Sequence, residues 1–283
     1  MAHCMGFGMA RQELGRRLRA LLVAALGLAF AGGVVSAQSV HEPPLPPTTP
    51  PDVPKECGLG TASAMPLPNS AIAIQARGKL RILAIGAAMR NVVGTNRGGR
   101  SPLLEQILEH TIKGLDVEIV NRGFSGELAA ATFERLKIEV ALEHPDVVLW
   151  QVGTNDTFAQ VPVEEFEATV LEAVRWLKDH NVDVILIGLH YMKHLTQNEY
   201  YQAIRASLRR IAQGENVLRI GRYEAQEVLE RTMRVPGQPE PAVFGEGEQA
   251  YNCMAQYLAH GIAVGLYAKP PQKLQAPSKP LPK

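Results

Sequence analysis

Cysteine, long apolar runs and clustered charge are all scarce in this sequence. Three cysteines, Cys4, Cys57 and Cys253, leave room for one intramolecular bridge. Lys and Arg number 29 against 28 Asp and Glu, a net charge of +1, and no long basic run occurs. Binding phosphates needs clustered cations, so nucleic acid is set aside as the principal partner. Histidines such as His110, His144, His180 and His260 are scattered without metal-ligand spacing, and neither a metal nor a cofactor is expected. "GTNRGG" (94–99) lacks the Gly-Lys-Ser/Thr ending of a phosphate loop and reads as a flexible loop. No internal repeat is present. What remains, 46% apolar and 20% charged residues over 283 positions, is the composition of an ordinary globular protein with a sizeable core.

The most apolar stretch, Ala20 to Val35, is interrupted by glycine and somewhat short for a membrane span. Arg11, Arg16, Arg17 and Arg19 precede it, and Val35-Ser36-Ala37 places small residues where a signal peptidase reads. Residues 1–37 are therefore expected to be a secretory signal, making the protein secreted or periplasmic with no span after cleavage. An uncleaved anchor is the other reading. Cys4 precedes the apolar stretch and is not placed for a lipoprotein anchor. Cys57 and Cys253 then remain, and in an oxidising compartment they are a candidate disulfide between the start of the mature domain and its last helix. Two buried thiols are the alternative.

Residues 38–56 contain "EPPLPPTTPPDVP", too rich in proline for helix or inner strand, and read as an extended linker. Residues 269–283, "KPPQKLQAPSKPLPK", form a similar Pro/Lys-rich tail. One domain, 57–268, lies between them. Within it "LRILAIG" (80–86), "DVEIVN" (116–121), "DVVLWQVG" (146–153), "DVILIGL" (183–189) and "NVLRIG" (216–221) are nearly continuous in Val, Ile and Leu, the pattern of strands covered on both faces. Helical patterns separate them. Leu103, Leu104, Ile107 and Leu108 mark one apolar stripe, and Phe166, Val170, Ala173, Val174 and Leu177 another. Ser101-Pro102 is a good helix start. Trp150 and Phe166 sit on apolar periodic faces and are expected in the core. Alternating strand and helix predicts an α/β fold, a three-layer α/β/α sandwich with a five-stranded, mostly parallel sheet whose site lies at the carboxyl ends of the strands.

The segments following those strands are Gly86-Ala87-Ala88, "NRGFSG" (121–126), Gly153-Thr154-Asn155-Asp156 and His190. In this order they resemble the SGNH (GDSL-type) hydrolases, a family of esterases and lipases with a flavodoxin-like sheet, over roughly residues 78–266. "VVLWQVGTND" is the more specific match. The resemblance implies that Gly126 gives a backbone N–H, and Asn155 its side-chain amide, to an oxyanion hole.

Two blocks depart from the family. Its nucleophilic serine aligns with Ala88, whose methyl group cannot attack a carbonyl. Placing Tyr251 of "AYNCMAQYLAHGI" at the family's tyrosine puts Ala242 at the aspartate and Gly245 at the histidine, and no histidine lies between His194 and His260. Nucleophile, base and orienting acid are thus all missing while the carbonyl-polarising donors remain. Ser125 is read as a turn residue, and Glu246 and Glu248 as acids favoured at a helix N-terminus. Gly153, His190 and His194 are expected at the pocket wall. The sequence points to an exported pseudoenzyme that accepts an acylated small molecule or a cell-surface glycan at Ala88, Gly126 and Asn155. An active carboxylic-ester hydrolase with rewired residues and a structural partner domain are the other two readings.

Overall fold

The computed structural model describes residues 49–54, 57, 65–87, 103–233 and 248–268. The chain divides into two units, Met1–His41 and Glu42–Lys283, and every described residue belongs to the second. Its elements run α1 (Pro68–Arg77), β1 (Lys79–Gly86), α2 (Leu103–Thr111), β2 (Asp116–Gly123), α3 (Ala129–Glu143), β3 (Val147–Gln151), α4 (Thr154–Phe158), α5 (Val163–Asp179), β4 (Asp183–Ile187), a 3-10 turn (Lys193–Leu195), α6 (Glu199–Gly214), β5 (Leu218–Ile220), α7 (Arg222–Met233) and α8 (Glu248–Tyr267).

The five strands pair in the order β2-β1-β3-β4-β5, all parallel. Each matches one of the five apolar runs of the sequence, so the expected sheet is present. Alternate residues of a strand face opposite layers. Leu80, Ile82 and Ala84 of β1 join Leu149, Ile185 and Ile187 against Leu104 and Leu108 of α2 and Leu258 and Ile262 of α8. Leu83 and Ile85 join Val148, Trp150 and Leu186 against Phe133 of α3, Phe166 and Val170 of α5, and Leu208 of α6. Phe166, Val170, Ala173, Val174 and Leu177 are all buried, as the stripe on α5 predicts, and Trp150 is wholly enclosed. From β1 the chain steps outward to β2 and then back across to β3. The carboxyl ends of β1 and β3 therefore form the switch point where open α/β sheets bind ligands.

Charged groups secure the opposite, amino edge of the sheet. Asp183 is buried and accepts hydrogen bonds from the Ser70 N–H and Oγ and from Asn69 Nδ2, at 2.7, 2.8 and 3.0 Å, capping the first turn of α1 from a distant strand. Burial pushes its carboxyl up from the ordinary value despite those bonds. Glu118 lies between Lys79 (3.0 Å) and Arg81 (3.0 Å), whose hydrogen bonds hold its carboxyl below the ordinary range. A carboxylate with a lowered folded-state pKa contributes stability above its unfolded value, about 4.3, and loses it as pH falls through the folded value. E118Q is accordingly expected to flatten the acid limb of stability against pH in urea titrations while leaving the neutral region little changed, because the pair is partly exposed.

A proline-rich strap and a disulfide lie along α8. Residues 49–54 have neither helix nor strand, as the linker reading expects, yet they are packed: Val53 rests on the core and the Pro51 carbonyl lies 2.9 Å from His260 Nδ1. Cys57 is bonded to Cys253, with 5.4 Å between Cα atoms, and Tyr257 donates its hydroxyl hydrogen bond to the Cys57 carbonyl. Of the two readings of these cysteines, the bridge is the one present. Among the described residues no helix is long and apolar enough to cross a membrane.

Candidate functional site

The site is built on the last residues of β1, β2 and β3. β1 ends at Gly86 with φ +96°, and a Cβ there would fall 2.1 Å from the Gln151 carbonyl oxygen and 3.0 Å from Trp150 Cδ1. Only glycine fits. The main chain then stays tied to β3 and β2: the Ala87 N–H donates to Gln151 O at 3.3 Å, and the Phe124 N–H donates to Gly86 O at 3.0 Å. Ala88, the next residue, lies outside the described residues, as do Ala242, Gly245, Glu246, the 94–99 loop, Ser101-Pro102, residues 1–37 and the tail.

Both expected donors are at this edge. Gly126 adopts φ +83° with nothing within 4 Å of a notional Cβ, so backbone conformation rather than crowding calls for glycine, and the residue is exposed. Asn155 is the second residue of α4, and its Nδ2 donates to the Glu127 carbonyl at 2.9 Å. That bond joins the loop after β3 to the loop after β2, one residue beyond Gly126. An amide NH2 carries two hydrogens, so one remains beyond the bond to Glu127. Glu127 is itself held by Arg135, which donates to its two carboxylate oxygens at 2.8 and 2.6 Å.

A second tie runs behind the donors through Asp156, to which the sequence reading assigned no role. It is buried, and its two oxygens accept from the Ala129 N–H at 2.8 Å and the Gly153 N–H at 3.2 Å. The first bond caps α3, whose N-cap Leu128 offers no side chain for the purpose. Burial pushes the Asp156 carboxyl up while the Ala129 and Gly153 bonds pull it down, the net direction being upward. Buried and bonded to two main-chain N–H groups, Asp156 positions main chain. D156A strands two N–H groups and is expected to cost about 2–3 kcal/mol in urea unfolding. The signal that could have found it is its place at the third position of a helix, reaching back to Gly153.

The remaining expected residues divide. Gly153 is buried with φ +101°, and a Cβ there would meet Leu189 and Ile204. His190 follows β4, is half-buried, and donates its main-chain N–H to Thr154 Oγ1 at 3.2 Å, beside Asn155. His194 sits in the 3-10 turn and is exposed. Ser125 is exposed. No group of three or more His, Cys, Asp or Glu among the described residues is arranged to hold a metal. Phe124 and Phe158, 66% and 59% exposed, give the two loops apolar outer surfaces.

The parallel sheet thus carries at its switch point two loops, after β2 and after β3, fastened together by the Asn155–Glu127 bond. A model of the non-GDSL lipase-like family matches residues 52–267, most of the chain. The protein belongs to that family. An arylesterase from Vibrio mimicus is 26% identical over 117 residues, 41% of this chain and 57% of that protein. The chain thus spans little more than half the length of this curated relative. Among solved structures, a GDSL-like lipase from Parabacteroides merdae superposes with a TM-score of 0.55 at 17% identity, covering 65% of this chain and 96% of that one. A psychrotrophic esterase from Pseudoalteromonas sp., inhibited by monoethylphosphonate, gives 0.50 at 16% identity over 65% and 96%. At these identities the likeness establishes the family's fold, that of GDSL-like esterases, and the site must be argued from its own residues.

Proposed function

We propose that this family member is an exported pseudoenzyme: it binds an acylated small molecule or cell-surface glycan through the acyl carbonyl and does not cleave it. The observation that carries the reading is the pairing of an assembled donor edge with a nucleophile position occupied by Ala88. The Asn155 amide on the Glu127 carbonyl and the Asp156 carboxylate on the Ala129 N–H tie the loop after β3 to the loop after β2, which carries Gly126. A carbonyl oxygen seated there accepts two hydrogen bonds, whereas acyl transfer also needs an attacking atom and a proton acceptor. Neither is supplied at Ala88, Ala242 or Gly245. Export is supported by the signal-like residues 1–37 and by the Cys57–Cys253 bridge, which suits an oxidising compartment.

The test uses purified mature protein. Short-chain p-nitrophenyl esters are expected to show no turnover, while O-acetylated glycosides bind saturably and N155A abolishes the binding. Turnover that N155A removes would instead identify an active esterase with rewired residues. Absence of binding to any acyl compound would leave a structural partner domain. A88S is expected to remain inactive, because alanine and glycine at positions 242 and 245 supply no aspartate and histidine to deprotonate the new hydroxyl.

A further inference from the structure

Gln151, the last residue of β3, is 3% exposed, and its side-chain Oε1 is buried without a hydrogen-bond partner. Leaving a buried carbonyl without a partner is costly, so an unexplained one at a candidate site calls for a function. Its position is defined by register. Gly123, Gly86, Gln151 and Ile187 form the last row across β2, β1, β3 and β4, and by alternation from Leu149 and Ile187 the Gln151 side chain faces the α2 and α8 layer. Gly86 and Gly123 contribute no side chains to that row. The amide is therefore flanked on the β1 side by bare main chain, directly below the turn after Gly86. Trp150, which faces the other layer, does not share this space.

The expected donors and this acceptor thus lie toward opposite faces of the sheet's carboxyl edge. Gly126 and Asn155 belong to the loops leading into α3 and α4, and Gln151 faces the α2 and α8 side. We infer that Gln151 is a specificity-determining residue that accepts a hydrogen bond from a hydroxyl next to the ligand's acyl group, selecting partly acylated sugars or polyols over simple alkyl esters. An ester carbonyl satisfies Gly126 and Asn155 but offers Gln151 no donor. A hydroxyl both donates and accepts, so it satisfies the amide in either orientation of its oxygen and nitrogen. Charge selection plays no part, because Gln151 is neutral.

This inference rests on the carbonyl-binding reading above, and its test separates the two. Binding of a mono-O-acetylated methyl glucoside is compared by calorimetry with that of its deoxy analogues, each lacking one hydroxyl beside the acetate. Wild type is expected to prefer the hydroxylated ligand by about tenfold, the worth of one hydrogen bond. Q151L is expected to lose that factor on the hydroxylated ligand, to bind the deoxy analogue as wild type does, and to melt no lower, since an apolar side chain of similar shape removes the stranded carbonyl. Equal binding of all analogues by wild type, or a preference that survives in Q151L, overturns the role of Gln151 and leaves the carbonyl-binding reading standing. Failure of wild type to bind any of them overturns both.

Discussion

G86A is expected to lower the stability of the domain by about 3–5 kcal/mol and to abolish ligand binding with it, the overpacking and backbone penalties adding at one residue. The added methyl group would lie 2.1 Å from the Gln151 carbonyl oxygen, a backbone atom of the central strand that cannot rotate away. At φ +96° any side chain is strained as well. Relief requires β1 to separate from β3 at the edge where the Ala87 N–H meets Gln151 O, which is the foundation of the site. Urea unfolding followed by circular dichroism checks the magnitude. Stability within 1 kcal/mol of wild type would show that the strand end is looser than its contacts imply. G126A is the control: it shares a positive φ but has open space around the Cβ, so its expected cost is only about 1 kcal/mol of backbone strain.

Removing the disulfide with the double variant C57A/C253A is expected to cost up to about 5 kcal/mol, the chain-entropy value for so long a loop. The two residues are separated by 196 positions, so the bridge restricts nearly the whole unfolded domain. Both side chains are buried, and alanine leaves no unsatisfied polar group behind. The midpoint of urea unfolding should fall, and the m-value should rise as the denatured chain expands. Wild type treated with reductant should behave as the double variant does. Two titratable thiols in the untreated mature protein would refute the bridge and remove one support for export.

Much of the architecture is legible in local pattern. Continuous runs of Val, Ile and Leu mark all five strands, and the spacing from Phe166 to Leu177 marks the buried face of α5, because burial on one or two faces imposes a period that short windows record. Gly126 and Asn155, which the family resemblance singles out, are both found at the carboxyl edge. His190 is beside them, whereas His194 is directed to solvent and Gly153 is buried. Residues 49–54 have neither helix nor strand, and Val53 packs on the core, a contact that proline content does not report because it sets backbone preference only.

Composition and order alone determined that five strands alternate with helices and that glycine ends the first of them; that Ala88 and Gly245 stand where a nucleophile and a base would is what the family resemblance implies. Tertiary structure decided the rest: that Asp156 finds the Ala129 N–H, that Cys57 meets Cys253, and that Gln151 ends between Gly86 and Ile187 with its side-chain carbonyl unpaired. The division has a physical cause. Periodicity and turn chemistry are set by neighbours along the chain, whereas a side chain's partner is set by strand order and register, which bring together residues far apart in sequence.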